Sequence, residues 1–154
     1  MLVGVIEGGY ILKVLRVDLS RRKTRVEPVN ETFAMEFVGG RGWGAKILYD
    51  EIKGRIDAFS PENKIVVASG PLSGLIVPCS GKTSFSAISP STGLYGDSNI
   101  GGEFSCALKR SGFDALIIEG SAEKPVILVI DDGNVGFKDA SHLWGMPSLD
   151  AERV

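Results

Sequence analysis

The stretch Gly96–Gly120, "GDSNIGGEFSCALKRSGFDALIIEG", decides the fold, because it holds a glycine pair, a helix-compatible segment and an apolar run in close succession. "EFSCALKRSG" is periodic enough for a short helix closed by Gly112, and "DALIIEG" is a short apolar run of β-formers, which reads as a strand. Gly101 and Gly102 stand just ahead of that helix. Adjacent glycines sacrifice backbone entropy, so they point to geometry: a positive φ, or room for something to lie against the main chain. Free N–H groups at a helix start attract anions, with about 0.3–1 kcal/mol per exposed contact, and glycines let a phosphate come close. A purely structural turn accounts for the pair equally well at this point.

Working outward, "YILKVLRVDL" (Tyr10–Leu19) is rich in β-formers and is followed by the polar turn "SRRK" and the alternating "TRVEPV", which predicts a hairpin. Asn30 or Thr32 can cap a helix through "ETFAMEFV". After "GGRG", a second helix, "WGAKILYDEI", places Ala45, Leu48, Tyr49 and Ile52 on one face. Lys64–Ala68 reads as a short buried strand ending at a Gly-Pro break, and "KTSFSAIS" as a strand with one covered face. Downstream, "PVILVIDD" is a further strand that turns at "DDGN" into "VGFKD". Strands outnumber helices and come in runs with short connections. The expected fold class is therefore α+β, a β-rich domain with mixed or antiparallel sheets and a few short helices. "PSLDAERV" has the acidic first turn of a helix but stops before such a helix could bury anything, so residues 1–154 read as a single domain cut from a longer protein.

The chain has 154 residues, 44% of them apolar, and a mean hydropathy of +0.13. That composition supports one ordinary core. Seventeen basic against nineteen acidic residues leave a net charge of −2, which gives no overall attraction to nucleic acid or to an anionic membrane. The N-terminal apolar stretch is interrupted by Glu7, Gly8, Gly9 and Lys13, too early for a signal-peptide core or a membrane span, and a cytoplasmic location is expected. Cys79 and Cys106 lack C-x-x-C spacing and read as unpaired thiols in a reducing compartment.

Two glycine motifs fail on inspection. "GKT" at Gly81–Thr83 ends like a phosphate-binding loop. Ile76, however, stands where the first glycine is required, Gly74 comes two positions too early, and the residues that follow read as a strand. Lys82 can still meet an anion as a single charge at the mouth of a strand. "GRGWGA" (Gly40–Ala45) fits a dinucleotide fingerprint formally, but the segment before it reads as a helix where a strand is needed. Turn glycines between helices explain Gly39, Gly40 and Gly42 more simply, and Arg41 among them reads as structural, although it could reach a phosphate. His142 is the single histidine and reads as a packing residue.

Taken in order, several segments resemble the N-terminal domain of the aldehyde ferredoxin oxidoreductase family, tungsten- or molybdenum-dependent enzymes with a bis-pterin cofactor. They are an aromatic residue ahead of "LRVDLS", then "GGRGWGAKILYDEI", "SPENKIVVASGPLSG", "SPSTG", "SNIGGEFSCALKRSGFDALIIEGSAEKPV" and "DASHLWG". The resemblance implies that this domain is the base on which the metallopterin sits. It further implies that the backbone carbonyl of Asn99 meets a Mg²⁺ bridging the pterin phosphates, and that Gly101 offers its backbone to the same pterin. Mg²⁺ shares its shell with phosphates and waters, so one protein carbonyl suffices. Lys82 stands where the family often has a pterin-contacting arginine, so a point charge replaces a planar fork. Ser98 and Gly102 follow as contacts by adjacency.

The resemblance also says what to expect elsewhere. The 4Fe-4S cluster, which needs four protein ligands, is expected only in later domains. No catalytic residue is expected in residues 1–154, which should be inactive alone. The whole enzyme would oxidise aldehydes to carboxylic acids and pass electrons through the cluster to ferredoxin. Apolar surface that normally faces the remaining domains would be exposed, which is compatible with a homo-oligomer. The alternative is a stand-alone, non-catalytic binding or assembly module with the same fold.

Overall fold

Along β1 (Lys13–Asp18), Leu15 and Val17 alternate with Val14 and Arg16, and all four are buried. A strand buried on both faces belongs inside a sheet that is covered on two sides. The computed structural model describes residues 9–154. The first eight residues, which carry part of the reading against a signal peptide, lie outside the described residues. Among the described residues no helix is long and apolar enough to cross a membrane.

The main sheet has six strands. With β2 (Lys23–Pro28), β3 (Lys64–Ala68), β4 (Thr83–Ile88), β5 (Tyr95–Ile100) and β6 (Ala115–Glu119), its order is β2-β1-β6-β3-β4-β5. Only β1 and β6 pair in parallel; the other neighbours are antiparallel. A separate hairpin, β7 (Val126–Asp131) with β8 (Asn134–Asp139), turns through Asp132 and Gly133, both at positive φ. That turn matches the right-handed strand twist, which is why "DDGN" marks it in the sequence.

Helices α1 (Glu31–Phe37) and α2 (Gly40–Glu51) cover one face of the sheet. Asn30 is the cap of α1, its side chain accepting the Thr32 N–H at 2.7 Å. On this face Trp43 is 1% exposed and packs with Val14, Ile47, Val66 and Ile117. Its ring stacks on Tyr10 at 6.1 Å and meets Phe33 at 5.4 Å. A side chain of that size contributes roughly 4–6 kcal/mol by apolar burial. The opposite face buries Leu15, Val17, Val67 and Leu116 beneath α3 (Phe104–Arg110) and the β7–β8 hairpin, which lends Leu128, Ile130 and Phe137. After β8 come a 3₁₀ turn at Ser141–Leu143, holding the exposed His142, and a four-residue α4 (Ser148–Ala151).

Arg16, 6% exposed, cannot be buried unpaired. It meets Glu27 at 2.8 Å, Glu51 at 2.6 Å and Glu119 at 3.1 Å, and Lys64 joins Glu119 at 2.5 Å. Burial pushes the Glu51 and Glu119 carboxyls up, but hydrogen bonds and attraction from Arg16 and Lys64 outweigh it and hold both below the ordinary carboxylate range. The network ties β2, β1, β6 and β3 to the C-terminal end of α2.

Two sequence expectations change in detail, and the structure adds a strand for which no sequence expectation was stated. Helix α2 begins at Gly40, three residues before Trp43, because the Gly40 N–H bonds to the Ser69 carbonyl at 2.9 Å and lets the helix start inside "GGRG". Its buried residues are Trp43, Gly44, Ile47 and Leu48, while Tyr49 is 78% exposed. Of the expected face, Leu48 is buried and Ile52 packs against the core, and with Ala45 and Tyr49 they also border an apolar surface groove of about 580 Å³ together with Phe37, Ile88 and Tyr95. Finally, "YGDSNI" is a strand. Its Gly, Asp and Asn are poor strand formers, and pairing with β4 rather than local propensity makes it one.

Candidate cofactor site

Strand β5 is the edge of the main sheet, and its last pair with β4 is Thr83 with Ile100. One step further, Lys82 and Gly81 run opposite Gly101 and Gly102. The two loops touch through their main chains: a Cβ on Gly81 would lie 2.5 Å from the Gly102 carbonyl oxygen. Lys82, Asn99, Gly101 and Gly102 therefore gather at one corner of the sheet, and all four are exposed.

The two faces of β5 separate Asn99 from Ser98. A Cβ on Gly44 of α2 would meet Ser86, and one on Gly40 would meet Ser84, so Ser84 and Ser86 face α2. Their partners on β5 are Asn99 and Asp97, which share that side; Ser98 pairs with Phe85 and points to the other. Side chains 98 and 99 thus cannot act on one ligand from the same face, whereas their main chain can.

Helix α3 is held from behind. Lys109 pairs with Asp114 at 3.2 Å, both side chains buried, and also bonds to the Gly9 carbonyl. Asp114 accepts the N–H groups of Ile11 and Leu12 at 2.8 and 2.7 Å. This clamp fixes the entry to β1 and the start of β6 to α3, and with them the loop before it. The helix has only seven residues, and its N-cap is Glu103 without a side-chain cap bond. A carboxylate there opposes an anion, so the attraction expected from the helix start is weak. What an anion finds at this corner is the Lys82 charge and open main chain.

Gly102 has φ +113, a conformation that favours glycine on its own account. Gly101 does not: it lies outside the left-handed region, and an added Cβ would meet nothing within 4 Å. Among the described residues, neither backbone conformation nor crowding requires glycine at 101. The hydroxyls of Thr83, next to Lys82, and Ser105, next to Phe104, are fully buried without a partner among the described residues. Each such group costs about 1–3 kcal/mol unless something bonds to it. An exposed cation at Lys82, exposed residues 99–102 and open space over Gly101 fit a phosphorylated ligand carrying its own hard cation. Among the described residues no group of three or more His, Cys, Asp or Glu is placed to hold a metal, and Cys79 and Cys106 are free thiols.

The other glycine motifs behave differently. Lys82 and Thr83 lead into a strand, as expected of a failed phosphate loop. In "GRGWGA", Arg41 donates from Nε to Asp97 Oδ2 at 2.8 Å, so this motif reaches the same corner through an ion pair the sequence did not suggest. Tyr95 adds a bridge, its hydroxyl 3.1 Å from Ser86 Oγ and 3.5 Å from the Arg41 carbonyl.

A family model described as the aldehyde ferredoxin oxidoreductase N-terminal domain matches residues 14–154. A tungsten-containing aldehyde ferredoxin oxidoreductase of Pyrococcus horikoshii is 44% identical over 146 residues, covering 95% of this chain and 24% of the relative. The aliphatic sulfonate oxidoreductase WOR-like subunit of Pyrococcus furiosus is 37% identical over 145 residues, covering 92% of this chain and 23% of that protein. Among solved structures, the active-site complex BamBC of benzoyl coenzyme A reductase, with 1,5-dienoyl-CoA, superposes with a TM-score of 0.91 at 32% identity over 94% of this chain and 22% of that one. The chain spans about a quarter of the length of the curated relatives it matches.

Proposed function

This chain belongs to the aldehyde ferredoxin oxidoreductase family through its N-terminal domain, and from that premise we propose that it seats one half of a bis-tungstopterin cofactor against the corner formed by Lys82, Asn99, Gly101 and Gly102. The tungsten named in its relatives favours that metal over molybdenum. When bound, the metallopterin supplies the oxidation of an aldehyde to a carboxylic acid, a chemistry the polypeptide lacks.

The chain's own part is positioning. The Asn99 main-chain carbonyl would hold a Mg²⁺ that comes with the phosphorylated cofactor, an oxygen ligand suited to that ion. Gly101 leaves its main chain uncovered so the pterin can lie on it, Lys82 offsets phosphate charge, and Gly102 turns the chain away. Ser98 contributes through its main chain. The rest of the enzyme, in this reading, brings the 4Fe-4S cluster that passes electrons to ferredoxin, and residues 1–154 do not turn over alone. Exposed apolar side chains support such neighbours: Leu72, Leu75, Ile76 and Val77 follow one another on the loop that leads to Lys82, with Ile76 wholly exposed. They favour a domain of a larger protein over a stand-alone module.

The single observation that carries the proposal is that, at the corner holding Lys82 and Asn99, neither its φ nor any atom of the described residues requires position 101 to be glycine. Tungsten anomalous scattering from crystals of the holoenzyme tests it. The expected map shows the metallopterin over the main chain of residues 99–102; a cofactor bound elsewhere, with this corner bare, would refute the proposal.

A further inference from the structure

We propose that Arg41 is a second cationic contact for the cofactor phosphate, aimed by Asp97; this rests on the cofactor corner proposed above. Arg41 lies in the first turn of the twelve-residue α2. Its neighbour Gly40 sits over Ser84, the β4 partner of Asn99, so the helix begins directly above the Asn99 end of the edge strand. Asp97, two residues from Asn99 on the same face of β5, takes the Arg41 Nε–H at 2.8 Å. The same carboxylate oxygen lies 3.5 Å from Asn99 Nδ2. Lys82, just before β4, and Arg41, in the first turn of α2, thus come to the Asn99 end of the sheet from two elements.

The guanidinium is used on one side only. Asp97 occupies Nε, and the terminal Nη1 and Nη2 have no partner among the described residues; the Arg41 side chain is 66% exposed and that of Asp97 17%. The free edge is a planar two-donor fork, the arrangement that binds phosphate oxygens in pairs. An exposed ion pair adds little to stability, so holding the fold is a weak reason for this one. As a positioning pair it has a use: Asp97 fixes the long Arg41 side chain before the ligand arrives, lowering the ordering cost of binding. Lys82 provides a point charge at the same corner, and Arg41 restores the fork that Lys82 lacks.

The test uses holoenzyme carrying Arg41→Gln, Arg41→Lys or Asp97→Asn. Tungsten and pterin retained per polypeptide are followed over time, with inorganic phosphate or chloride at matched ionic strength as competitor, and the metal-free proteins are melted in parallel. Arg41→Gln should lose cofactor about tenfold faster or more, the scale of one charge-assisted contact. Arg41→Lys should fall between it and wild type, and Asp97→Asn should weaken retention less than Arg41→Gln. Phosphate should speed loss from wild type more than chloride does, and this difference should vanish in Arg41→Gln, with melting of the metal-free proteins unchanged. Wild-type retention in Arg41→Gln, or loss that tracks a lowered melting temperature, would overturn the inference. If the anomalous map places the cofactor over Gly101 while Arg41 variants retain it normally, only this inference fails; if the map places it elsewhere, both readings fail.

Discussion

Two glycine-rich turns meet at one corner of the sheet, and they are glycine-rich for opposite reasons. At the start of α2 the chain is crowded. A Cβ on Gly42 would lie 2.2 Å from the Phe37 carbonyl oxygen, one on Gly39 2.7 Å from the Ser69 carbonyl oxygen, and one on Gly44 2.2 Å from Ser86 Oγ. Those glycines let α1, α2 and β4 approach each other. After β5 there is open space: a Cβ on Gly101 would meet nothing within 4 Å among the described residues. A glycine motif in a sequence therefore signals close approach without saying of what. Only the surroundings tell whether the approaching body is the protein itself or a ligand.

The comparison predicts that the two regions separate stability from cofactor retention. The largest effect on stability belongs to the crowded turn. Gly42→Ala pushes a methyl into main chain that cannot rotate away, and should destabilise the protein by about 3 kcal/mol, the upper range of overpacking, in urea unfolding. A loss under ~1 kcal/mol would mean that the turn is looser than it looks and the contrast with Gly101 is false.

Next comes the ion network anchoring the far end of α2. Arg16→Met strands three carboxylates, but these are 22–30% exposed and can recruit water. The expected cost is thus about 2–3 kcal/mol, below that of breaking a fully buried pair. Because Glu51 and Glu119 are held below their ordinary 4.5, their stabilisation is complete above that pH and is lost as pH falls through their lower folded values. Melting followed from pH 6 to pH 3 should show wild type losing its advantage over Arg16→Met. An advantage that persists unchanged in acid would remove the network from the account.

The smallest stability effect belongs to the open corner. Lys82→Ala should shift unfolding by less than ~0.5 kcal/mol, as exposed substitutions do, while tungsten and pterin content of the holoenzyme falls. Unchanged cofactor content with a normal fold would remove Lys82 from the site.

These contrasts also mark what a sequence can carry. The β1–β2 hairpin, β3, β4, β6 and the β7–β8 hairpin announce themselves through β-formers and turn residues, and Asn30 through its capping chemistry. Strand β5 does not, because its pairing with β4 is a tertiary fact and "YGDSNI" lacks an alternating apolar face. On the expected α2 face Leu48 is buried and Ile52 packs against the core, but Tyr49, a core residue by period, is exposed, while Gly44, which nestles on Ser86, carries no apolar signal. Of the expected contacts, Lys82, Asn99 and Gly101 follow from the family resemblance and Gly102 from adjacency, and the structure brings these four residues to one corner. The opposite facing of Ser98 and the Arg41–Asp97 pair, 56 residues apart in sequence, depend on strand register and on where α2 lands. No local pattern encodes either.

The most direct measurement is made on Gly101→Val. Its unfolding free energy in the metal-free protein and its tungsten and pterin stoichiometry in the holoenzyme are determined on the same variant. If the space over Gly101 is kept for a cofactor, stability stays within ~0.5 kcal/mol of wild type while bound tungsten and pterin fall together. Full cofactor occupancy in Gly101→Val, or destabilisation matching that of Gly42→Ala, would contradict the account.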